Sequence, residues 1–210
     1  MTQSGMMAIE LHGATHSDSR ALTDETLLRQ IVEGKEEGLQ ELVRRYQSPI
    51  HRFLTRFLGS SEDAEQATLN VFIRAWQNAP RFQYRAKVST WLYRIAINIA
   101  RDMHSARTAR LRRESSPEAL ALTHPLVGNA EEEAMRRMEQ DDQYRQLQRA
   151  LDRMSEIERT LLILYYFEDS SYEEMQAISG LSYKVLKTRL SRARQRLRAL
   201  LEQEAGNTSL

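Results

Sequence analysis

The stretch from Ser170 to Arg198, SSYEEMQAISGLSYKVLKTRLSRARQRLR, leaves its backbone few choices. Ser171 with Glu174 three residues later is a capping-box pattern, in which a hydroxyl and a carboxylate satisfy N–H groups that a helix start leaves open. Met175 and Ile178 follow as the apolar side of that short helix. Gly180 enters left-handed backbone space at least cost, Leu181 can pack beneath the turn, and Ser182 can cap a second helix. From there Leu186, Leu190, Ala193, Leu197 and Leu200 fall at alternating steps of four and three, which is one stripe of a helix. The spacing predicts a helix-turn-helix.

The other side of the second helix is Lys184, Lys187, Thr188, Ser191 and Gln195, and from Ser182 to Arg198 there are seven Lys or Arg and no acid. A helix of this kind can enter a DNA major groove, where Lys and Arg meet phosphates or guanine edges and Ser or Thr reach either. Charge alone favours a solvated basic helix. The capped helix and glycine turn in front of it favour contact with DNA.

The rest of the chain must supply a fold to carry that pair. Among 210 residues, eight Gly and four Pro are sparse punctuation, strand-like alternation is hard to find, and 41% of residues are hydrophobic, enough for a real core. The expected class is all-α. Net charge is only +1, so nucleic-acid affinity has to come from local clusters. Without cysteine there is no disulfide, thiolate metal site or thiol nucleophile, which suits a reducing cytoplasm. The longest apolar run, 161–167, is far short of a membrane span, and no secretory signal pattern opens the sequence. No P-loop or Glu-x-x-His pattern occurs, so an enzyme is a weak reading, and no cofactor is expected. His12 and His16, four apart, have no further ligand candidate beside them.

In chain order, residues 1–22 show no period and read as a tail. Thr23 can cap a helix that buries Leu27, Leu28, Ile31 and Val32 and ends at Gly34; Pro49 opens or kinks a second helical region carrying Ile50, Phe53, Leu54 and Phe57. Ser61 begins another helix, with Ala64, Ala67, Val71, Phe72 and Ala75 inward. After Pro80, a loop with Phe82 and Tyr84 leads to Ser89 as a plausible cap. The helix that follows buries Leu92, Ile95, Ala96 and Ile99, while Trp91, Arg94, Asn98 and Arg101 share a different face. Aromatics, an amide and guanidiniums in one place suit unstacked nucleic acid: rings stack on bases, Asn bonds a base edge, Arg follows phosphate. A core role for Trp91 and a solvated Asn98 fit the same residues. From Glu114 to Asp142 eight acids stand against two arginines, with Pro117, Pro125 and Gly128, a linker composition. The division expected is a tail (1–22), a helical domain (23–113), a flexible linker (114–142), a helix-turn-helix domain (143–204) and a tail (205–210).

Two motif sets place these features in one family. Asp63-Ala64-Glu65-Gln66, then Val71-Phe72, then Trp91-Leu92-Tyr93-Arg94-Ile95-Ala96-Ile97-Asn98 precede Ser171-Tyr172-Glu173-Glu174-Met175-Gln176 and the run from Lys184 to Arg194. In this order they resemble the second and fourth conserved regions of the extracytoplasmic-function sigma factors. The resemblance implies a cytoplasmic factor that binds core RNA polymerase, directs it to promoter DNA and helps melt it. It further implies that Lys187, Thr188 and Ser191 read the −35 element, with Lys184 and Arg192 beside them. Phe82 and Asn98 would hold a flipped −10 base, with Tyr84, Trp91, Arg94 and Arg101 around them. Asp63, Glu65, Gln66, Asn70 and Phe72 would meet the β′ clamp helices, and an anti-sigma factor is a further partner common in the family. Gln66, Leu69 and Asn70 depart from the family's usual Asp, Gln and Glu, and Lys184-Val185 from its usual Gly-Thr. The alternative is a helix-turn-helix regulator acting on duplex DNA without core polymerase.

Overall fold

The computed structural model describes residues 22–113 and 131–208. The expectations for the N-terminal tail, for 114–130 of the linker and for His12 and His16 lie outside the described residues. Among the described residues there is no strand. The first domain holds α1 (Asp24–Val32), α2 (Glu36–Leu58), α3 (Ser61–Asn78), one turn of 3-10 helix (Ala79–Arg81) and α4 (Val88–Arg113). The second holds α5 (Glu131–Asp152), α6 (Glu156–Tyr166), α7 (Tyr172–Ser179) and α8 (Tyr183–Thr208). Helix α5 begins inside the stretch whose composition reads as linker, and α8 runs on into the residues expected as a tail.

Local chemistry sets most boundaries. The Thr23 hydroxyl accepts from the Thr26 N–H at 3.3 Å and starts α1. Ser60, one residue before the expected Ser61, accepts from the Asp63 N–H at 3.2 Å and starts α3. Ser89 lies inside α4, which already begins at Val88 because that side chain is buried. Pro49 does not divide the second helical region. It lies within α2, where it removes a backbone donor, yet Leu42, Ile50, Phe53 and Phe57 are all fully buried on either side, and that burial, ~1.5 to 3 kcal/mol per side chain, holds one continuous helix.

Gly38 lets α1 and α2 approach closely: a Cβ there would stand 2.7 Å from the Leu27 carbonyl oxygen and from the Gln30 side chain. Ala64, Ala67 and Ala75 of α3, with Ala96 and Ala100 of α4, are fully buried and bring those helices onto Phe53 and Phe57. Val32 differs from expectation. It is 49% exposed at the end of α1, where only Leu27, Leu28 and Ile31 turn inward.

The two domains pack on each other, α7 against α4 and α6 against α2. At the centre of that contact is Arg159, which is fully buried. Its Nε donates to the Leu151 carbonyl at 2.9 Å and its Nη1 to the Phe57 carbonyl, across the domain boundary, at 2.8 Å. Its Nη2 stands 3.3 Å from Asp152 Oδ1, and the guanidinium lies 5.2 Å from the Phe57 ring centre. Burial pushes the guanidinium below its ordinary value and Asp152 above its own. Nothing in the pattern Glu-Ile-Glu-Arg-Thr marks this arginine as buried.

Candidate nucleic-acid interface

The helix-turn-helix forms as the sequence predicts. Ser171 and Glu174 make both hydrogen bonds of the capping box, at 3.1 Å each, and Gly180 ends α7 at φ +72°. The Leu186 N–H bonds back to the Ser182 carbonyl at 2.9 Å, which places Ser182 at the head of α8. Leu186, Leu190 and Ala193 are buried, so α8 turns Lys184, Lys187, Thr188, Ser191 and Arg192 to solvent. The Thr188 hydroxyl donates to the Lys184 carbonyl at 2.9 Å.

Of the seven cations of α8, Arg189 is exposed and the other six divide into two groups. Among the described residues, Lys184, Lys187 and Arg192 make no ion pair. The later ones are engaged within the domain. Arg194 lies 4.5 Å from the Tyr165 ring centre and 5.6 Å from that of Tyr166. Arg196 pairs with Glu158 at 3.4 Å and donates to the Arg153 carbonyl at 3.1 Å, and Arg198 pairs with Glu202 at 2.9 Å. Seven positive charges in the sequence therefore amount to a smaller outward cluster at the start of the helix, the part that a major groove would receive.

In the first domain the loop after the 3-10 turn carries an aromatic cluster. Phe82 stands 5.0 Å from Tyr84 and 4.9 Å from Trp91 between ring centres. Tyr84 has the left-handed backbone value φ +55°, is 44% exposed and has the Arg29 guanidinium 5.8 Å from its ring centre. Phe82 and Trp91 are half-buried and rest on the core, so Trp91 supports the loop as well as facing it. Further along α4, Arg94, Asn98 and Arg101 lie toward the second domain. Arg94 donates from Nε to the Ala177 carbonyl at 2.9 Å, with Nη2 on the same oxygen, and Arg101 pairs with Glu156 at 2.8 Å. Asn98 lines a crevice of about 300 Å³ between the domains, with Ile97, Ile157, Thr160 and Ile178. The structure thus gathers Phe82, Tyr84 and Trp91, and sets Arg94, Asn98 and Arg101 further along α4, still exposed, beside α6 and α7.

On α3, Glu65 and Gln66 are exposed and Asp63 and Asn70 half-buried. Phe72 is 6% exposed and belongs to the core, which corrects its assignment as a surface contact. The side chains facing out are Leu69, Ile73 and Trp76, exposed by 63%, 40% and 55%. Their steps of four and three continue the line of Glu62 and Glu65, so one face of α3 is acidic at its start and apolar at its end. The signal was present in the spacing: three large apolar residues repeat on the side opposite Ala64, Ala67, Val71 and Ala75. Exposed contiguous apolar surface of this kind marks an interaction site more often than chance.

Comparison with known proteins bears directly on these surfaces. Residues 42–110 match the family model for Sigma-70 region 2, and residues 144–197 match that for Sigma-70, region 4. The chain is 30% identical over 191 residues to the ECF RNA polymerase sigma factor SigM of Mycobacterium tuberculosis (strain Erdman), covering 90% of this chain and 88% of that one. It is 28% identical over 186 residues to ECF RNA polymerase sigma factor SigW of Bacillus subtilis, covering 83% and 94%. Among solved structures, CnrH in complex with the cytosolic domain of CnrY superposes with a TM-score of 0.62 at 23% identity, covering 86% of this chain and 97% of that one, which shows a shared fold. The matched regions, in this order along a two-domain helical chain, make the protein a member of the ECF sigma factors, alternative sigma factors that direct RNA polymerase to particular promoters.

Proposed function

We propose that this sigma factor reads the −35 element with Lys184, Lys187, Thr188, Ser191 and Arg192, and the −10 element with the Phe82, Tyr84 and Trp91 cluster together with Arg94, Asn98 and Arg101. The observation that carries the first assignment is the division of charge along α8. Cations at its start face water without carboxylate partners among the described residues, whereas Arg194, Arg196 and Arg198 are engaged. Uncompensated cations release condensed counterions on binding DNA, and Thr188 and Ser191 between them supply short-range base contacts. For the −10 element, a half-buried ring pair with an exposed third ring is a platform on which an unstacked base can lie.

Polymerase docking belongs to the exposed face of α3: Glu65, Gln66 and Asn70 supply its polar part and Leu69, Ile73 and Trp76 its apolar part, against the β′ clamp helices. The working units on this reading are residues 23–113 and 143–204, joined by 114–142. The protein acts in the cytoplasm as an initiation factor and is not itself a catalyst. Among the described residues no helix is long and apolar enough to cross a membrane. An anti-sigma factor is a further partner; the sigma factor RpoE of Bartonella quintana was solved in complex with one, NepR.

Purified chain mixed with core RNA polymerase tests the whole reading. Co-elution and promoter-dependent abortive transcription are expected. Tight, specific binding to promoter duplex with no association with polymerase would overturn it in favour of a stand-alone regulator.

A further inference from the structure

An apolar side chain stands among the cations at the head of α8. Leu186, Leu190 and Ala193 turn into the core, and the large apolar side chains of this helix left exposed among the described residues are Tyr183 and Val185, by 51% and 41%. The two do not share a face. The Tyr183 ring is tilted against that of Tyr172 in α7, 5.6 Å between centres, so part of its apolar surface is already used. Val185 lies on the outward side, in the first turn of the helix, with Thr188 and Arg192 following it at steps of three and four, all of them exposed. That first turn is the part of a recognition helix whose side chains reach base edges.

The Val185 side chain neither donates nor accepts a hydrogen bond. Against the amino group of cytosine or adenine, or the acceptors of guanine, it would strip water from a polar edge and return nothing. Thymine alone presents an apolar group in the major groove, its C5-methyl. The branched valine is stiff at χ1 in a helix, so its γ-carbons meet that methyl with little loss of freedom. Thr188 points the same way. Its hydroxyl donates to the Lys184 carbonyl at 2.9 Å, so its one proton is committed to the helix, and what it keeps for a base is acceptor capacity and a γ-methyl. Resting on the −35 reading of α8, we infer that Val185, with Thr188 as its neighbour, is a specificity-determining residue that selects a thymine of the −35 element by its C5-methyl. Lys184, Lys187 and Arg192 supply the salt-dependent attraction to phosphate, whereas Val185 discriminates between bases by a contact that salt does not screen.

Deoxyuridine in place of thymidine removes the methyl and leaves base pairing intact. Core RNA polymerase carrying the full-length chain first selects duplexes from a library randomised over both promoter elements, and each thymine of the selected −35 element is then exchanged in turn. At one position, loss of the methyl should weaken binding about fourfold, the weight of one buried carbon of this size. Val185→Ser, at an exposed position where folding is not at issue, should bind the thymine and deoxyuridine duplexes alike, and Val185→Ile, which keeps both γ-carbons, should preserve the difference. A selected element without thymine, indifference to deoxyuridine at every position, or a difference that survives in Val185→Ser overturns the inference. The −35 reading has its own failure. Selection of no −35 sequence, or of one that Lys187→Ala binds as well as the parent does, removes that reading and the thymine contact together, whereas a Lys187-dependent element blind to the methyl removes the thymine contact alone.

Discussion

Arg159 offers the sharpest test of how the two domains are held. Replacing it with Met keeps much of the side-chain volume and removes the charge. Two carbonyls, Leu151 and Phe57, then lose donors at 2.9 and 2.8 Å inside a site with no exposure at the arginine. A hydrogen bond from a charged donor contributes about 1.5 to 3 kcal/mol, so two of them amount to roughly 3 to 6. Relief of the buried guanidinium's desolvation offsets part of this. The pair with Asp152 adds little, because that carboxylate keeps 48% of its side chain exposed and is screened by water. A net loss of about 3 kcal/mol follows. With a urea slope of about 2 kcal/mol per molar for a chain of this size, the midpoint should fall by ~1.5 M. Arg159→Lys makes the argument more exacting. It retains the positive charge, but a single ammonium cannot reproduce a planar fork that serves carbonyls on two domains, so it too should lose stability. Urea unfolding followed by tryptophan fluorescence and circular dichroism measures both variants. A midpoint unchanged in Arg159→Met, or a Lys variant indistinguishable from the parent, would refute the reasoning.

Four other outcomes are expected. Lys187→Ala should weaken −35 discrimination by ~1 to 3 kcal/mol and lower the slope of log affinity against log salt by about 1, read by fluorescence anisotropy of a promoter duplex; unchanged promoter selectivity counts against the assignment. Asn98→Ala should alter −10 choice or permanganate reactivity of the open complex while polymerase binding persists, and footprints identical to the parent's would remove Asn98 from the base site. Leu69→Arg and Trp76→Ala, at positions exposed by 63% and 55%, should leave the circular dichroism spectrum intact and reduce association with core polymerase by tenfold or more; full retention of binding would exclude that face of α3. Burial, and next the charge of Arg159, hold His104 below its ordinary value of 6.5. The unfolded chain therefore takes up this proton first, and stability contributed by neutral His104 should be lost as pH falls from 6.5 through the lowered folded value. Urea midpoints at pH 7.5 and 5.5 should differ less in His104→Gln than in the parent, and an equal difference in both would discount the histidine.

The amino-acid sequence by itself determined the elements and their chemistry. Ser171 with Glu174, Gly180, and the four-and-three spacing from Leu186 to Leu200 act over a turn or two of chain, and each appears where its local physics requires. The same holds for the Thr23 cap, and Ser60 for Ser61 is a shift of one residue between neighbouring hydroxyls. Pro49 was not legible, since a proline ends or spares a helix according to how much apolar surface its two halves bury together. Charge was legible in amount but not in use. Only the placement of Tyr165, Glu158 and Glu202 separates Arg194, Arg196 and Arg198 from Lys184, Lys187 and Arg192, which make no ion pair among the described residues. Phe72 and Ile73 are adjacent and both apolar, and which of them faces a partner depends on where α3 meets α2 and α4. Burial of Arg159 against Phe57, and the bonds from Arg94 to Ala177 and from Arg101 to Glu156, join residues 55 to 102 positions apart. Such contacts belong to the docking of one domain on another, which no local periodicity encodes, because the energy that decides it comes from surfaces that meet only after each domain has folded.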